Sequence, residues 1–215
     1  MLEIIPAILT NDRQELERLI EAAETVVDRV QIDIVDGQFA KNETIDPSVL
    51  EAVDTNLKLD FHLMTKSPTG WVERCIRGMA DRIFGQIEMM EDQFEFVGKV
   101  QEVGAKIGLA VDIDTPVSDL DLAILNNLDA VLLMSYPAGV GGQPFDPRVL
   151  DKAKKLEAIR GSDKKSFKIC VDGGITEKTI GKVREVGVDQ VAVGRRIFKG
   201  DLKENLIKFR KAAYR

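Results

Sequence analysis

Val30-Gln31-Ile32-Asp33-Ile34 is a short run in which polar side chains alternate with apolar ones. Two further runs have the same pattern, Leu59-Asp60-Phe61-His62-Leu63 and Lys168-Ile169-Cys170-Val171-Asp172. Because successive side chains of a strand point to opposite faces, the polar members of each run share one face. A polar stripe in a buried strand is costly unless a ligand, metal or partner satisfies it. The three runs therefore predict three strands whose polar side chains meet at one shared site.

The rest of the chain repeats an alternation of apolar runs with segments of helical periodicity. The predicted strands are Leu2–Ala7, Arg29–Asp33, Leu57–Leu63, Arg82–Glu88, Lys106–Val111, Ala130–Met134, Ser166–Val171 and Gln190–Val193. Helix starts are indicated by Asn11 or Asp12 as a cap and by early prolines after Ser67 and Thr115. Further helices are expected near Pro47–Val53 and from Glu177 to Val186.

Eight strands alternating with eight helices predict a parallel sheet with helical crossovers. This count favours a (β/α)8 TIM barrel over an open doubly wound sheet, although 215 residues is short for that barrel. No linker or low-complexity segment divides the chain, so residues 1–215 are expected to form a single domain.

The composition is that of an ordinary globular protein with a net charge of −6. No Lys/Arg cluster indicates nucleic-acid binding, although a few exposed basic residues could hold a small anion. No apolar run reaches the roughly 18 residues of a membrane span, and no signal peptide is recognisable. Cys75 and Cys170 lie in apolar contexts, which predicts two buried free thiols in a reducing compartment. We therefore expect a cytoplasmic protein with neither a nucleic acid nor a membrane as its partner.

Candidate catalytic residues fall at the predicted carboxyl ends of the strands, where TIM barrels place their active sites. They are Asp33, His62, Glu88 and Asp172. Two carboxylates on opposite walls could take a proton from one face of a carbon and return one to the other. One His and two Asp also suit a divalent ion that polarises a neighbouring carbonyl. A lone His62 could instead be a core histidine, the aspartates could be helix caps, and Glu88 could be a solvated rim residue.

Glycine-rich loops after three predicted strands indicate a phosphate site. One loop is Gly139-Val140-Gly141-Gly142, and the others begin with Gly173-Gly174 and Gly194-Arg195. Glycines let backbone N–H groups approach an anion, and phosphate sites after strands seven and eight recur in this barrel. Arg195 and Arg196 could add positive charge there or could be solvated.

Several segments together carry a resemblance to a known family. They are Pro6–Asp12, Asp33–Phe39, Asp60–Met64, Leu133–Met134, Gly139–Phe145 and Val171–Ile175. In this order and spacing they resemble the ribulose-phosphate 3-epimerase family along nearly the whole chain. The resemblance implies a (β/α)8 barrel of the pentose phosphate pathway that interconverts D-ribulose 5-phosphate and D-xylulose 5-phosphate through a metal-bound enediolate.

The same resemblance assigns roles to individual residues. It implies that Asp33 accepts the proton, that Asp172 donates one on the other face, and that His62 and both aspartates bind the metal. The implied contacts to substrate or phosphate are Thr10, His62, Gly139, Val140, Gly141, Gly142, Gly173, Gly174, Gly194 and Arg195. It also suggests a homo-oligomer, which the chain itself does not reveal.

Several positions depart from the resembled family. A histidine metal ligand of that family is replaced by Gln31, and further family histidines by Gln38 and Gln86. Thr10 replaces a serine, and Arg195 replaces a small residue. Gln31 would be a fourth ligand, but a neutral amide binds zinc or iron more weakly than imidazole does. We expect weaker binding of Zn²⁺ or Fe²⁺, a preference for Mg²⁺ or Mn²⁺, or no metal.

Three functions remain open from the sequence. The first is an epimerase with an altered metal site, which the retention of both aspartates favours. The second is another phosphosugar isomerase or lyase on the same barrel; a Schiff-base aldolase is disfavoured because Lys168 should lie a strand length below Asp172. The third is a non-catalytic sugar-phosphate binder, which the loss of a metal ligand would explain.

Overall fold

Eight parallel strands close into a barrel in the computed structural model, which describes residues 1–161 and 167–215. Each strand pairs with the next along the chain, and the eighth pairs with the first. The strands are β1 Glu3–Ile8, β2 Arg29–Val35, β3 Lys58–Met64, β4 Ala80–Gln86, β5 Lys106–Val111, β6 Ala130–Met134, β7 Lys168–Asp172 and β8 Gln190–Val193. The predicted TIM barrel is confirmed; Ser166, the first residue of the predicted seventh strand, lies outside the described residues.

Six α-helices of the described ranges surround the barrel. They are α1 Arg13–Glu24, α2 Val72–Arg77, α3 Gln93–Glu102, α4 Arg148–Arg160, α5 Ile180–Glu185 and α6 Leu202–Ala213. The carboxylate of Asp12 accepts hydrogen bonds from the backbone N–H groups of Gln14 and Glu15, which starts α1. The apolar face of α1, which includes Leu16 and Ile20, is buried in the main core.

Helices alternate with all eight strands, as predicted, but those after β2 and β5 are 3-10 helices and not α-helices. The short helix expected near Pro47–Val53 is a 3-10 helix, Pro47–Ala52, and the helix expected from Glu177 is shortened to α5. After Thr115-Pro116 the chain forms only two 3-10 turns, Val117–Asp119 and Leu125–Asn127.

Between β5 and β6, where no α-helix forms, side chains supply hydrogen bonds to the backbone. Gln93 Nε2 donates to the carbonyl of Asp119 at 2.7 Å, and Gln93 Oε1 accepts from the N–H of Asp121 at 3.1 Å. Asp121 in turn accepts from the N–H of Ala123. These side-chain bonds, two from the distant Gln93 and one local, offer the backbone an alternative to helical hydrogen bonds.

The polar residues of the three alternating runs occupy two levels inside the barrel, so the prediction of one shared site is only partly correct. Asp33, His62 and Asp172 converge near the carboxyl ends of the strands. Asp60 lies deeper, where it is fully buried and forms ion pairs with Arg29 and Arg82. Cys170 also lies below the site, and its Sγ donates to Gln190 Oε1 at 3.0 Å.

Cys75 and Cys170 are both free and buried, as predicted from their apolar contexts. None of the helices in the described ranges combines the length and apolarity needed to cross a membrane.

Candidate active site

Strand register brings three ionisable side chains together at the carboxyl end of the barrel. Asp33 on β2 pairs directly with His62 on β3, and Asp172 is the last residue of β7. Their ligand-capable atoms all lie within 4.8 Å of one another. His62 is fully buried, and Asp33 and Asp172 are 9% and 7% exposed. The predicted pair of carboxylates and the predicted histidine therefore share one site.

The amide of Gln31 connects the two carboxylates. Its Nε2 donates to Asp33 Oδ1 at 2.8 Å and to Asp172 Oδ2 at 2.6 Å. Each hydrogen of the NH2 group is thus directed at a different carboxylate, which offsets part of their mutual repulsion. Gln31 consequently presents its donor side to the site, and its carbonyl oxygen could ligate a metal only after the amide rotates by half a turn.

His62 is held by partners on both ring nitrogens. Its Nδ1 lies 3.1 Å from Asp33 Oδ1 and 4.0 Å from Asp172 Oδ2. Its Nε2 lies 3.1 Å from the Gln86 amide. All polar atoms of this amide find partners when Oε1 accepts from Nε2 and the NH2 group donates to the carbonyl of Ala110 and to the Glu88 carboxylate. In that orientation Nε2 donates to Gln86, so that Nδ1 of the neutral ring directs its lone pair into the site, where a metal ion could accept it.

The donor set of the site fits a divalent ion. One imidazole nitrogen and two carboxylates are ligands for Mn²⁺, Fe²⁺ and Zn²⁺, and three protein ligands leave positions for substrate. A second partner that orients the histidine ring, here Gln86 on His62, is a usual feature of metal sites. Asp33, His62 and Asp172 would hold such an ion, while the hydrogen bonds of Gln31 compete with it for both carboxylates.

Glu88 is not part of this cluster. One carboxylate oxygen accepts from the N–H of Asp112 at 2.7 Å, and the other accepts from the NH2 group of Gln86. Glu88 therefore supports Gln86, which in turn contacts His62.

Burial is the main cause that raises the pKa of Asp172, to about 7, and the negative charge of Asp33 adds to it. His62 and the hydrogen bond from Gln31 act in the opposite direction. A carboxyl group with this pKa carries a proton in a large fraction of molecules at neutral pH, as a general acid requires.

A cleft of about 880 Å³ opens from Asp33 and Asp172 toward the glycine loops. Of the predicted substrate contacts it is lined by Gly141, Gly142, Gly173, Gly174, Gly194 and Arg195. Gly139 and Val140 line a smaller inner pocket with Asp33, His62 and Asp172. The loops after β6, β7 and β8 thus meet the two carboxylates in one continuous space.

The loop conformation after β7 requires glycine. Gly173 has a φ of +108°, and a Cβ there would lie 2.8 Å from both Ser135 Oγ and Tyr136 Cε1. Gly174 has a φ of +58°, and its Cβ would lie 2.4 Å from the backbone nitrogen of Phe145. The Gly173-Gly174 pair therefore lets the β7 loop pack closely against the β6 loop.

Thr10 is buried at the end of β1, and its hydroxyl is already engaged. It donates to a Glu15 carboxylate oxygen and accepts from the N–H of Asp12 at 3.1 Å. The cleft wall at this point is Leu9. The predicted contact of Thr10 with the substrate therefore stays a prediction.

Tyr136 lines the site and was not identified from the sequence. Its ring borders both the inner pocket and the cleft. Burial, followed by the negative charges of Asp172 and Asp33, raises the pKa of the Tyr136 hydroxyl, so it remains a protonated donor. The alternation of β6 could have identified it, because Tyr136 lies two residues after Met134 and four after Leu132, whose side chains point into the barrel.

Lys168 is the first residue of β7 and lies at the amino end of the barrel, away from Asp172. Its side chain is exposed and lies 3.6 Å from a Glu3 carboxylate oxygen. This placement agrees with the sequence argument against imine chemistry at Lys168.

Comparison with known proteins gives a consistent relationship. The model of the ribulose-phosphate 3-epimerase family matches residues 3–198. The ribulose-phosphate 3-epimerase of Bacillus subtilis is 32% identical over 215 residues, which cover 98% of this chain and 99% of that protein. The ribulose-phosphate 3-epimerase of Chlamydia pneumoniae is 34% identical over 202 residues, or 92% of this chain and 86% of that protein.

Solved structures agree at the level of the fold. The 3-keto-L-gulonate-6-phosphate decarboxylase from Vibrio cholerae superposes with a TM-score of 0.70 at 12% identity. The match covers 99% of this chain and 97% of the decarboxylase. At this identity the likeness shows a shared barrel and nothing about the reaction.

Proposed function

We propose, from the premise that this chain belongs to the ribulose-phosphate 3-epimerase family, that it interconverts D-ribulose 5-phosphate and D-xylulose 5-phosphate. The observation that carries the proposal is the convergence of Asp33 and Asp172 from strands that are not neighbours in the barrel. Both carboxylates border the same cleft as the glycine loops, so a bound phosphosugar can present its reacting carbon to both.

The reaction follows as two proton transfers at carbon 3. Asp33, as a carboxylate, accepts the proton of the C3–H bond, and the electron pair of that bond forms a C=C double bond as the C2 carbonyl oxygen gains charge. Asp172, as a carboxylic acid, then gives its proton to the opposite face of carbon 3 while the carbonyl re-forms. In the site without a bound ion, burial and the charge of Asp33 raise the pKa of Asp172, which supports its part as the donor. The reverse reaction uses the same two groups with exchanged roles.

Charge on the reacting oxygens needs stabilisation during these steps. A divalent ion bound by Asp33, His62 and Asp172 would supply it by acting as a Lewis acid. The Gln31 amide holds both carboxylates in place, and the Gln86 amide holds the imidazole of His62. The phosphate is bound by the backbone N–H groups of the glycine loops, with Arg195 beside them.

The decisive assay follows deuterium exchange at carbon 3 of D-ribulose 5-phosphate in heavy water by proton NMR. It is run on purified protein before and after chelation, and with Mg²⁺, Mn²⁺, Fe²⁺ or Zn²⁺ added back. Exchange with formation of xylulose 5-phosphate supports the epimerase, and its loss on chelation supports metal dependence. Folded protein without exchange under any condition would contradict the proposal and favour a phosphosugar-binding role or another substrate.

An Asp172→Asn variant tests the mechanism directly. The amide cannot donate the second proton, so turnover should fall by at least about 100-fold, the lower range for loss of a general acid. The affinity for inorganic phosphate should stay within about twofold because the glycine loops are unchanged. Unchanged turnover in this variant would contradict the assigned role of Asp172.

A further inference from the structure

The cleft continues outward beyond the glycine loops. Past Gly174 and Gly194 its walls come from the segments that follow β7 and β8, with the side chains of Thr176, Lys178, Thr179, Arg196 and Lys199. At about 880 Å³ the whole cleft is near the upper part of the range for small-molecule sites, roughly 300–1,000 Å³, and is large for a pentose with one phosphate.

The charges along this cleft are separated. Among the described lining residues, the carboxylates are Asp33 and Asp172, both at the inner end. The outer end carries Lys178, Arg196 and Lys199, all exposed, and none of the three is ion-paired to a carboxylate of the described residues. A positive end of a cleft in a chain of net charge −6 attracts an anion and raises its local concentration.

Arg195 lies beside the glycine loops that would bind the phosphate of a pentose phosphate; we call this the first phosphate position. One nitrogen of its guanidinium lies 3.5 Å from the place that a Cβ on Gly141 would occupy. The guanidinium therefore lies against the β6 loop, beside the N–H groups that would hold the phosphate of a pentose. A single phosphate bound there is matched by these N–H groups and Arg195, so it leaves the three cations farther out without a counter-charge.

We propose that Lys178, Arg196 and Lys199 form a second anion subsite, and that the cleft binds compounds with two linked phosphoryl groups. One phosphoryl group would occupy the glycine loops, and the next would reach the three cations. The chemical class is a diphosphate, either free pyrophosphate or a diphosphate ester. This inference rests on the placement of the first phosphate in the proposed function, but it does not depend on the epimerisation step.

The test compares matched mono- and diphosphates by titration calorimetry on chelated full-length protein at fixed ionic strength. The ligands are phosphate with pyrophosphate, and methyl phosphate with methyl diphosphate, so that the two pairs separate free from esterified diphosphate. In at least one of the two pairs, the diphosphate should bind at least about tenfold more tightly than its monophosphate. A tenfold difference in affinity is the equivalent of about one charge-assisted hydrogen bond. Equal affinities within both pairs would overturn the subsite.

A double variant, Lys178→Met with Lys199→Met, locates the effect. It should reduce the diphosphate preference to about twofold or less, while methyl phosphate still binds and shows that the protein is folded. The matched control is Lys182→Met with Lys203→Met, which removes the same charge from α5 and α6 outside the cleft. A preference that survives in the first variant, or falls equally in both, would overturn the proposal.

The outcomes separate this inference from the proposed reaction. Protein that epimerises ribulose 5-phosphate but shows no diphosphate preference keeps its proposed function and loses the subsite. Protein that does not epimerise but shows a preference dependent on Lys178 and Lys199 keeps the subsite and loses the proposed reaction.

Discussion

The side-chain nitrogen of Gln31 lies 2.6 Å from Oδ2 of Asp172 and is shared with Asp33, 2.8 Å away on its other side. One neutral amide thus satisfies two carboxylates that would otherwise repel each other in a buried site. We expect Gln31→Met, which has a similar size and no N–H group, to lower kcat by roughly 10- to 100-fold. The estimate follows from the ~1.5–3 kcal/mol of a hydrogen bond to a charged group.

Steady-state kinetics under chelated and metal-supplemented conditions would measure the effect of Gln31→Met. Gln14→Met, on the exposed face of α1, is the matched control for the same chemical change. A kcat equal in the two variants would mean that the bridge is not needed for turnover.

Replacing Gln31 by histidine should strengthen binding of transition metals. An imidazole nitrogen is a better ligand for Zn²⁺ than an amide, and the substitution also removes the two hydrogen bonds that compete for the carboxylates. Competition with a chromophoric chelator should show Zn²⁺ affinity increased by at least about tenfold, within the range found for changes around metal ligands. Identical affinity in wild type and Gln31→His would show that the amide does not limit the site.

The raised pKa of Asp172 makes stability depend on pH. In the unfolded chain the carboxyl titrates near its ordinary value of 3.8, whereas in the folded protein its pKa is about 7. Between these values the folded protein keeps a proton that the unfolded chain has lost, so its contribution is fully present below pH 3.8 and is lost as pH rises through 7. The free energy of unfolding should therefore fall by up to about 1.4 kcal/mol per pH unit over this window.

Urea unfolding of chelated protein across this pH range would measure the dependence. Asp172→Asn removes the titrating group and serves as the comparison. The free energy of unfolding of the variant, relative to wild type, should rise with pH. Parallel curves for the two proteins would contradict the raised pKa.

Strand positions were the most predictable part of the fold. The predicted bounds of β5, β6 and β8 agree with the structure, because each is an apolar run closed by turn residues. The helix expected after Thr115-Pro116 is reduced to two 3-10 turns, because Gln93, from a different crossover, supplies hydrogen bonds to the backbone of that segment. Such a tertiary contact leaves no trace in the local pattern of residues 115–127.

The sequence predicted which residues belong to the candidate site, but it did not predict which of the buried polar side chains contact one another. The alternation of polar and apolar residues identified Asp33, His62 and Asp172, which the barrel register brings together. The same pattern gave no way to separate them from Asp60, whose partners Arg29 and Arg82 lie on the two neighbouring strands. The two levels inside the barrel follow from strand pairing, which alternation alone does not specify.

The buried cluster of Asp60, Arg29 and Arg82, below the candidate site, should contribute to the free energy of unfolding and not to turnover. Asp60 is fully buried and is compensated by Arg29 on β2 and Arg82 on β4. Asp60→Asn removes the negative charge and leaves two arginines facing each other at the base of the barrel. Breaking a buried ion pair by removing one partner costs roughly 3–5 kcal/mol, and we expect a loss in this range by urea unfolding.

Asp81→Asn is the matched control for this prediction. Asp81 also pairs with Arg29, at 2.6 Å, and with Lys106, but its side chain is 26% exposed, so water can solvate the cations that lose their partner. Its loss should therefore cost about 1 kcal/mol or less. If Asp60→Asn were no more destabilising than Asp81→Asn, the buried cluster would contribute no more than a surface pair, and the deep charges would need another explanation.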